Sequence, residues 1–204
     1  DVYKRQAKIF AEFDNLNVTK FQGLQTVFDG HFEDLTPFVQ KMRLIKSQDE
    51  IDKMIVAGQF ADKAVKVGFD NISLNNTETD IIAMIEFEMK KQGVEKMSFD
   101  TMVLTGNNAA NPHGIPGTNK IENNALLLFD LGTDMYGYAS DMTRTVAVGK
   151  PDQFKKDIYN LCLEAHMSAL EFIKPGVLAS EVDEAARKVI EKAGYGEYFN
   201  HRLG

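Results

Sequence analysis

The order of apolar and polar positions divides the chain into a weakly patterned opening, two helical stretches, a strand-rich centre and two further helical stretches. Residues 1 to about 40 hold one weak helical stretch, Ala7 to Phe13, then a polar, glycine-containing segment through Gly30, then Leu35-Thr36-Pro37-Phe38-Val39. That is too little apolar surface to bury a core, so this piece is expected to be the remnant of another domain plus a linker. Ser47-Gln48-Asp49-Glu50 has capping-box spacing, in which the serine hydroxyl accepts the amide three residues on and the glutamate reaches back. It opens a helix whose apolar face is Ile51, Met54, Ile55, Gly58, Ala61 and Val65, ending near Gly68. A second helix is predicted from Thr77 to Gln92, with Ile81, Ile82, Ile85 and Met89 inward and Gly93 as its stop.

The period then changes. Thr101-Met102-Val103-Leu104 reads as a strand, Gly106 to Gly117 as a polar loop, and Ala125 to Leu131 as a buried strand. A turn near Thr133 to Gly137 leads into a longer strand, Tyr138 to Val148. Pro151-Asp152 starts a third helix with Phe154, Ile158, Leu161, Ala165, Ala169 and Phe172 on one face, and Pro175-Gly176 ends it. Ser180-Glu181-Val182-Asp183 caps a fourth that runs to Gly194. The two helix pairs resemble each other at an offset of 101 residues, Ala64 falling on Ala165, Lys91 on Lys192 and Gly93 on Gly194. A duplicated helix-pair-plus-strands unit predicts two pseudo-symmetric halves with a site between them, in an α+β fold.

Composition narrows the function classes. With 44% hydrophobic and 26% charged residues the chain is globular, and a net charge of −7 supplies no surface for a nucleic acid. Lys155-Lys156 is flanked by Asp152 and Asp157 and reads as a solvated helix face. The longest apolar run, Ala125 to Phe129, is far short of the ~20 residues a membrane helix needs, so no membrane is expected and the location is expected to be cytoplasmic. Cys162 is the only cysteine, which excludes a disulfide framework or a thiolate cage, and its spacing from Ile158, Leu161 and Ala165 predicts a core position. His31 and His166 fit no pattern and are expected to be structural or superficial.

The candidate chemistry lies in Phe129-Asp130-Leu131-Gly132 and the residues through Thr145. A hairpin centred between Met135 and Tyr136 would set Asp130 opposite Asp141 on one face, with Cβ atoms about 5 Å apart. Two carboxylates that close repel by roughly 3 kcal/mol at an effective dielectric near 20, unless one is protonated or a cation lies between them. Hard divalent cations take such oxygens. The plainer alternative is that Asp130 ends a strand and Asp141 pairs with Arg144. The apolar run before Asp130 favours the first reading, since it carries the carboxylate to the end of a buried strand.

The pattern Asp130-x-Gly132, then Gly137-Tyr138-x-Ser140-Asp141-x-Thr143-Arg144-Thr145, resembles the pita-bread metallopeptidases, and within them the Xaa-Pro branch. Asn111-Pro112-His113-Gly114 and Asn200-His201-Arg202-Leu203-Gly204 match the same family in the same order, and Met42 to Ser47 resembles the entry to its catalytic domain. The resemblance implies a pita-bread (creatinase/aminopeptidase-like) fold, with pseudo-symmetric helix pairs over an antiparallel sheet. It implies residues 41–204 as a catalytic domain lacking its C-terminal part, and residues 1–40 as the remnant of an N-terminal creatinase-like domain. Asp130 would hold one of two divalent metal ions and Asp141 would bridge both, manganese being expected before cobalt or zinc. Thr143, and Arg144 after it, would bond a ligand carboxylate from behind. His113 and His201 would face the substrate. The metal-ligating histidine would fall one position past Gly204 and two glutamate ligands later still, so no catalytic residue is assigned here.

The function implied is hydrolysis of the peptide bond before proline, with proline-containing dipeptides as substrates and a homodimer as the assembly. Aminopeptidase P, acting on longer peptides, is the close alternative. A non-catalytic binding protein of the same fold and creatinase are disfavoured, because both candidate carboxylates are kept. Methionine aminopeptidase is disfavoured by Thr143-Arg144-Thr145.

Overall fold

A computed structural model describes residues 8–111 and 114–203, which fall in two compact units, Asp1–Ile55 and Val56–Gly204. In the first unit, strands β1 (Lys8–Ala11) and β2 (His31–Asp34) pair in parallel, with Ile9 level with Phe32, and helix α1 (Val18–Val27) connects them. The helix expected over Ala7 to Phe13 is therefore a strand, alternating exposed and half-buried from Lys8 to Ala11. Over so few residues the two periods cannot be told apart. Helix α1 was not expected at all, although Asn17 caps it by accepting Lys20 N–H at 2.9 Å. Phe21 packs edge-on against Phe13 and Phe32. Helix α2 (Thr36–Leu44) follows, with Pro37 in its first turn.

Helix α3 (Gln48–Asp70) opens on the expected box: Ser47 N–H donates to Glu50 Oε2 at 2.7 Å, and Glu50 N–H to Ser47 Oγ at 3.4 Å. Its buried stripe is Ala57, Ala61, Ala64, Val65 and Gly68. Ile51, Met54 and Ile55, expected inward, are exposed. Small residues set this face because the helix lies close on an aromatic ring: a Cβ on Gly68 would stand 2.6 Å from Phe129 Cε1. Helix α4 (Glu78–Lys91) buries Ile81, Ile85 and Met89 as expected, with Ile82 half-buried. Thr77 and Asp80 cap it reciprocally.

After β3 (Lys96–Met97), the antiparallel strands β4 (Met102–Thr105), β5 (Ala125–Leu131) and β8 (Met142–Val148) form one sheet in the order β4-β5-β8. Strands β6 (Thr133–Met135) and β7 (Tyr138–Ala139) join β3 in a second, ordered β3-β6-β7. Leu127, Phe129 and Leu131 alternate inward along β5 and close the core with Val103 and the stripes of α3 and α4. The strand expected over Tyr138 to Val148 is thus two pieces, interrupted at Ser140-Asp141. Met135 is level with Tyr138, and Tyr136 and Gly137 both have positive φ, +57° and +79°. This two-residue left-handed turn centres the hairpin between Tyr136 and Gly137, one position later than expected.

Helices α5 (Gln153–Phe172) and α6 (Ala179–Lys192) pack on each other through Ala165, Ala169, Ala186 and Ile190. This stripe passes beside Cys162, which is exposed rather than in the core, and Phe154 is exposed too. The cap of α6 is built at Leu178, not Ser180: Leu178 N–H donates to Glu181 Oε2 at 2.8 Å, matching the reach-back of Asp80 to Thr77 N–H. The offset of 101 carries the bounds of α4 onto those of α6. It also carries the end of one onto the other. Val94 N–H bonds Met89 O and Tyr195 N–H bonds Ile190 O, beside Gly93 and Gly194 with φ of +91° and +84°.

Candidate functional site

Asp130 is the penultimate residue of β5, half-buried at the point where the strand leaves the core. Its partner across the ladder is Thr143, not Asp141, and the Thr143 hydroxyl donates to Asp130 Oδ1 at 2.9 Å. The register continues from Leu131 level with Met142, which brings Asp141 level with Gly132 and diagonal to Asp130. The expected direct pairing is thereby corrected by two residues. A slip of two, unlike a slip of one, keeps every side chain on its own face, so both carboxylates still share a side. Gly132 is needed there because a Cβ would meet Ser140 O at 1.9 Å. Ser140 N–H donates to Thr133 O, and Thr133 N–H to Ser140 Oγ, which hold the Ser140-Asp141 break against the turn into β6.

Burial pushes the Asp130 carboxyl above the usual aspartate range, the Asp141 charge adds to the rise, and the Thr143 hydroxyl opposes it. Arg144 is level with Phe129, and its guanidinium donates to Thr143 O at 2.8 Å. By alternation it belongs to the other side of the ladder from Asp130 and Thr143.

His201 is exposed in the segment after α6, which a buttress on that helix holds in place. Arg187 donates to Phe199 O at 2.8 Å and to His201 O at 3.2 Å, while Asp183 accepts Leu203 N–H at 2.6 Å and Arg187 Nε at 3.0 Å. The Leu203 amide, then Arg187, hold the Asp183 carboxyl below its ordinary range. His113, with Pro112, lies outside the described residues. A further buried carboxylate, Glu78, has no signature in the sequence. Its carboxylate is fully buried and accepts from Thr105, Asn108, Gly117 and Asn119 around the 106–117 loop. A glutamate in a first helical turn looks like ordinary dipole compensation, and nothing local marks its burial.

The structure thus brings together Asp130, Thr143 and Asp141. Their donor chemistry fits a hard divalent cation, whose charge would offset the burial, and the smaller Asp141 repulsion, that raise Asp130. Their number does not complete a site. Among the described residues no three His, Cys, Asp or Glu converge to hold a metal ion, and a divalent cation takes roughly four to six donors. No described helix is long and apolar enough to cross a membrane.

The family model for metallopeptidase family M24 matches residues 52–204. An uncharacterized peptidase of Staphylococcus epidermidis is 43% identical over 202 residues, covering 98% of this chain and 58% of that protein. The prolidase from Pyrococcus horikoshii superposes with a TM-score of 0.90 at 38% identity, over 96% of this chain and 56% of its own. The Xaa-Pro dipeptidase from Bacillus anthracis superposes with a TM-score of 0.91 at 37% identity, over 96% and 55%. The chain therefore spans little more than half the length of these relatives. Its helix pairs and antiparallel strands are part of the pita-bread fold. On sequence and structure together, the chain belongs to metallopeptidase family M24.

Proposed function

We propose that the protein carrying this chain is a metal-dependent Xaa-Pro dipeptidase that hydrolyses the peptide bond before proline. The observation that carries this reading is the placement of Asp130 and Asp141 on one face of the β5–β8 hairpin, in a chain so similar to the P. horikoshii prolidase. In this reading residues 41–204 belong to the catalytic domain and residues 1–40 to an N-terminal creatinase-like one. Asp130 and Asp141 supply part of the ligand set for two divalent ions, with manganese the first candidate. When bound, the ions polarise the scissile carbonyl and stabilise the charge that develops on it.

Around them, Thr143 orients Asp130 through its hydroxyl, and Arg144 acts on the Thr143 carbonyl rather than on either carboxylate. Asp130, whose proton is held more tightly than usual, must release it to bind a cation, so metal affinity decreases as the pH is lowered. His113 and His201 serve the substrate side, where an imidazole can bond a carboxylate or the developing oxyanion.

The test is a substrate panel run on the full-length protein with manganese. Dipeptides with proline in the second position are expected to be cleaved, and the same dipeptides with alanine there to be cleaved at least about tenfold more slowly. Preferential cleavage of longer Xaa-Pro peptides would move the assignment to an aminopeptidase P. Equal rates on proline and alanine dipeptides would end the Xaa-Pro reading.

A further inference from the structure

We infer that Glu78 is a positioning residue that ties together the two arms of the 106–117 loop and, through them, acts on the substrate side of the site. Glu78 is the first residue of α4, and its carboxylate is completely shut off from solvent. Oε1 accepts Thr105 N–H at 2.8 Å, and Oε2 accepts Gly117 N–H at 2.9 Å and Asn119 Nδ2 at 3.1 Å. Asn108 Nδ2 lies 3.1 Å from both oxygens and also donates to Ile115 O at 3.1 Å. Thr105 ends β4 and Gly117 closes the loop, so one carboxylate joins both feet of the excursion and, through Asn108, ties its start to Ile115 near its end. The backbone repeats the joint: Glu78 N–H donates to Asn119 O at 3.0 Å, and Thr79 N–H to Gly117 O at 3.2 Å.

All these donors are neutral amides. A buried carboxylate is costly unless its lone pairs are filled, and here the fillers all belong to one loop and its flanks. An apolar side chain at this place would leave the Thr105 and Gly117 amides buried without partners. A glutamine would fare little better, because whichever way its amide turned, an NH2 group would face at least two N–H donors. The residue type is therefore fixed by the loop and not by the helix it begins. Glu78 lies on a different element from Asp130 and Asp141, and in this account it touches neither metal nor substrate. Its effect on activity rests on the reading of His113, within the same loop, as a substrate-side residue.

The experiment compares Glu78→Gln with the unchanged full-length protein. Amide exchange over residues 105–117 is expected to accelerate at least about tenfold, with β5 and α5 protected as before and manganese affinity unchanged. The kcat/KM on an Xaa-Pro dipeptide is expected to fall at least about tenfold. Added to His113→Ala, the substitution should cost little more, because both act through one loop. Unchanged exchange over 105–117, or losses that simply add, would overturn the inference. Should Glu78→Gln fail to fold, Asn108→Ala removes only the link from Glu78 to Ile115 and carries the same comparison. If the unchanged enzyme cleaves no Xaa-Pro dipeptide, the proposed function fails, and the exchange result still decides whether Glu78 holds the loop.

Discussion

Asp130 is held by three neighbouring influences of opposite sign: burial and Asp141 favour its proton, and Thr143 favours its charge. Removing one at a time separates them. In Thr143→Val the carboxyl loses a 2.9 Å hydroxyl donor and its orientation, so its pKa should rise further. Metal affinity at neutral pH should fall by about 10- to 100-fold, the usual cost of losing a residue that orients a ligand. A carboxyl-carbon NMR titration of the metal-free protein and a manganese titration check the two halves. An unchanged affinity would mean that Thr143 only closes the ladder. Both aspartates could be recognised in the sequence, because an apolar run leads into Asp130 and the Ser140-Asp141-x-Thr143-Arg144 pattern is distinctive. Their true relation could not, because it depends on where the turn falls. Glu78 was invisible for a different reason: its burial is decided by a loop that arrives about thirty residues later.

At the scale of elements, the hairpin register is the critical quantity. β5 was readable to its ends because the apolar run Ala125 to Phe129, extended by Leu131, sits between turn residues. The turn was misplaced by one position because Tyr136 adopts a left-handed backbone, which its chemistry does not announce. Gly137 carries the other left-handed position, so Gly137→Ala should destabilise the protein by roughly 1–2 kcal/mol. Gly58→Ala, in the interior of α3 with open space where the new methyl would go, should stabilise it by about 0.5–1 kcal/mol. Equilibrium unfolding in urea measures both, and equal signs would contradict the turn assignment. The segment after α6 makes a pH prediction. Because the Asp183 carboxyl is held below its ordinary value, its contribution is complete above the unfolded value, about 3.9, and is lost as pH falls through the folded one. Exchange of the Leu203 amide should therefore stay slow at pH 5 relative to the unfolded rate and lose that protection only at a pH below the unfolded value. In Asp183→Asn protection should be missing throughout, and its retention would show that the buttress does not depend on this charge.

For the molecule as a whole, every candidate site residue falls in the unit Val56–Gly204, within the family match over 52–204. The offset of the helix pairs could be read from the chain because Lys91 and the stop at Gly93 recur as Lys192 and Gly194, whereas the α6 cap at Leu178 could not, because leucine has no capping side chain. The opening unit could not, since its strands have four residues each and α1 buries none of its residues. On the proposed function, the two carboxylates of Asp130 and Asp141 are too few donors for a complete centre, so residues 1–204 alone are expected to bind manganese weakly and to cleave no Xaa-Pro dipeptide. The measurement that bears most directly on the central claim is hydrolysis of an Xaa-Pro dipeptide by the full-length protein with manganese, before and after Asp141→Asn. The unchanged protein is expected to be active. The substitution, which keeps size and fold but removes the shared charge, is expected to lower kcat/KM at least about a thousandfold together with manganese binding. Full activity in Asp141→Asn, with manganese still bound, would contradict the central claim.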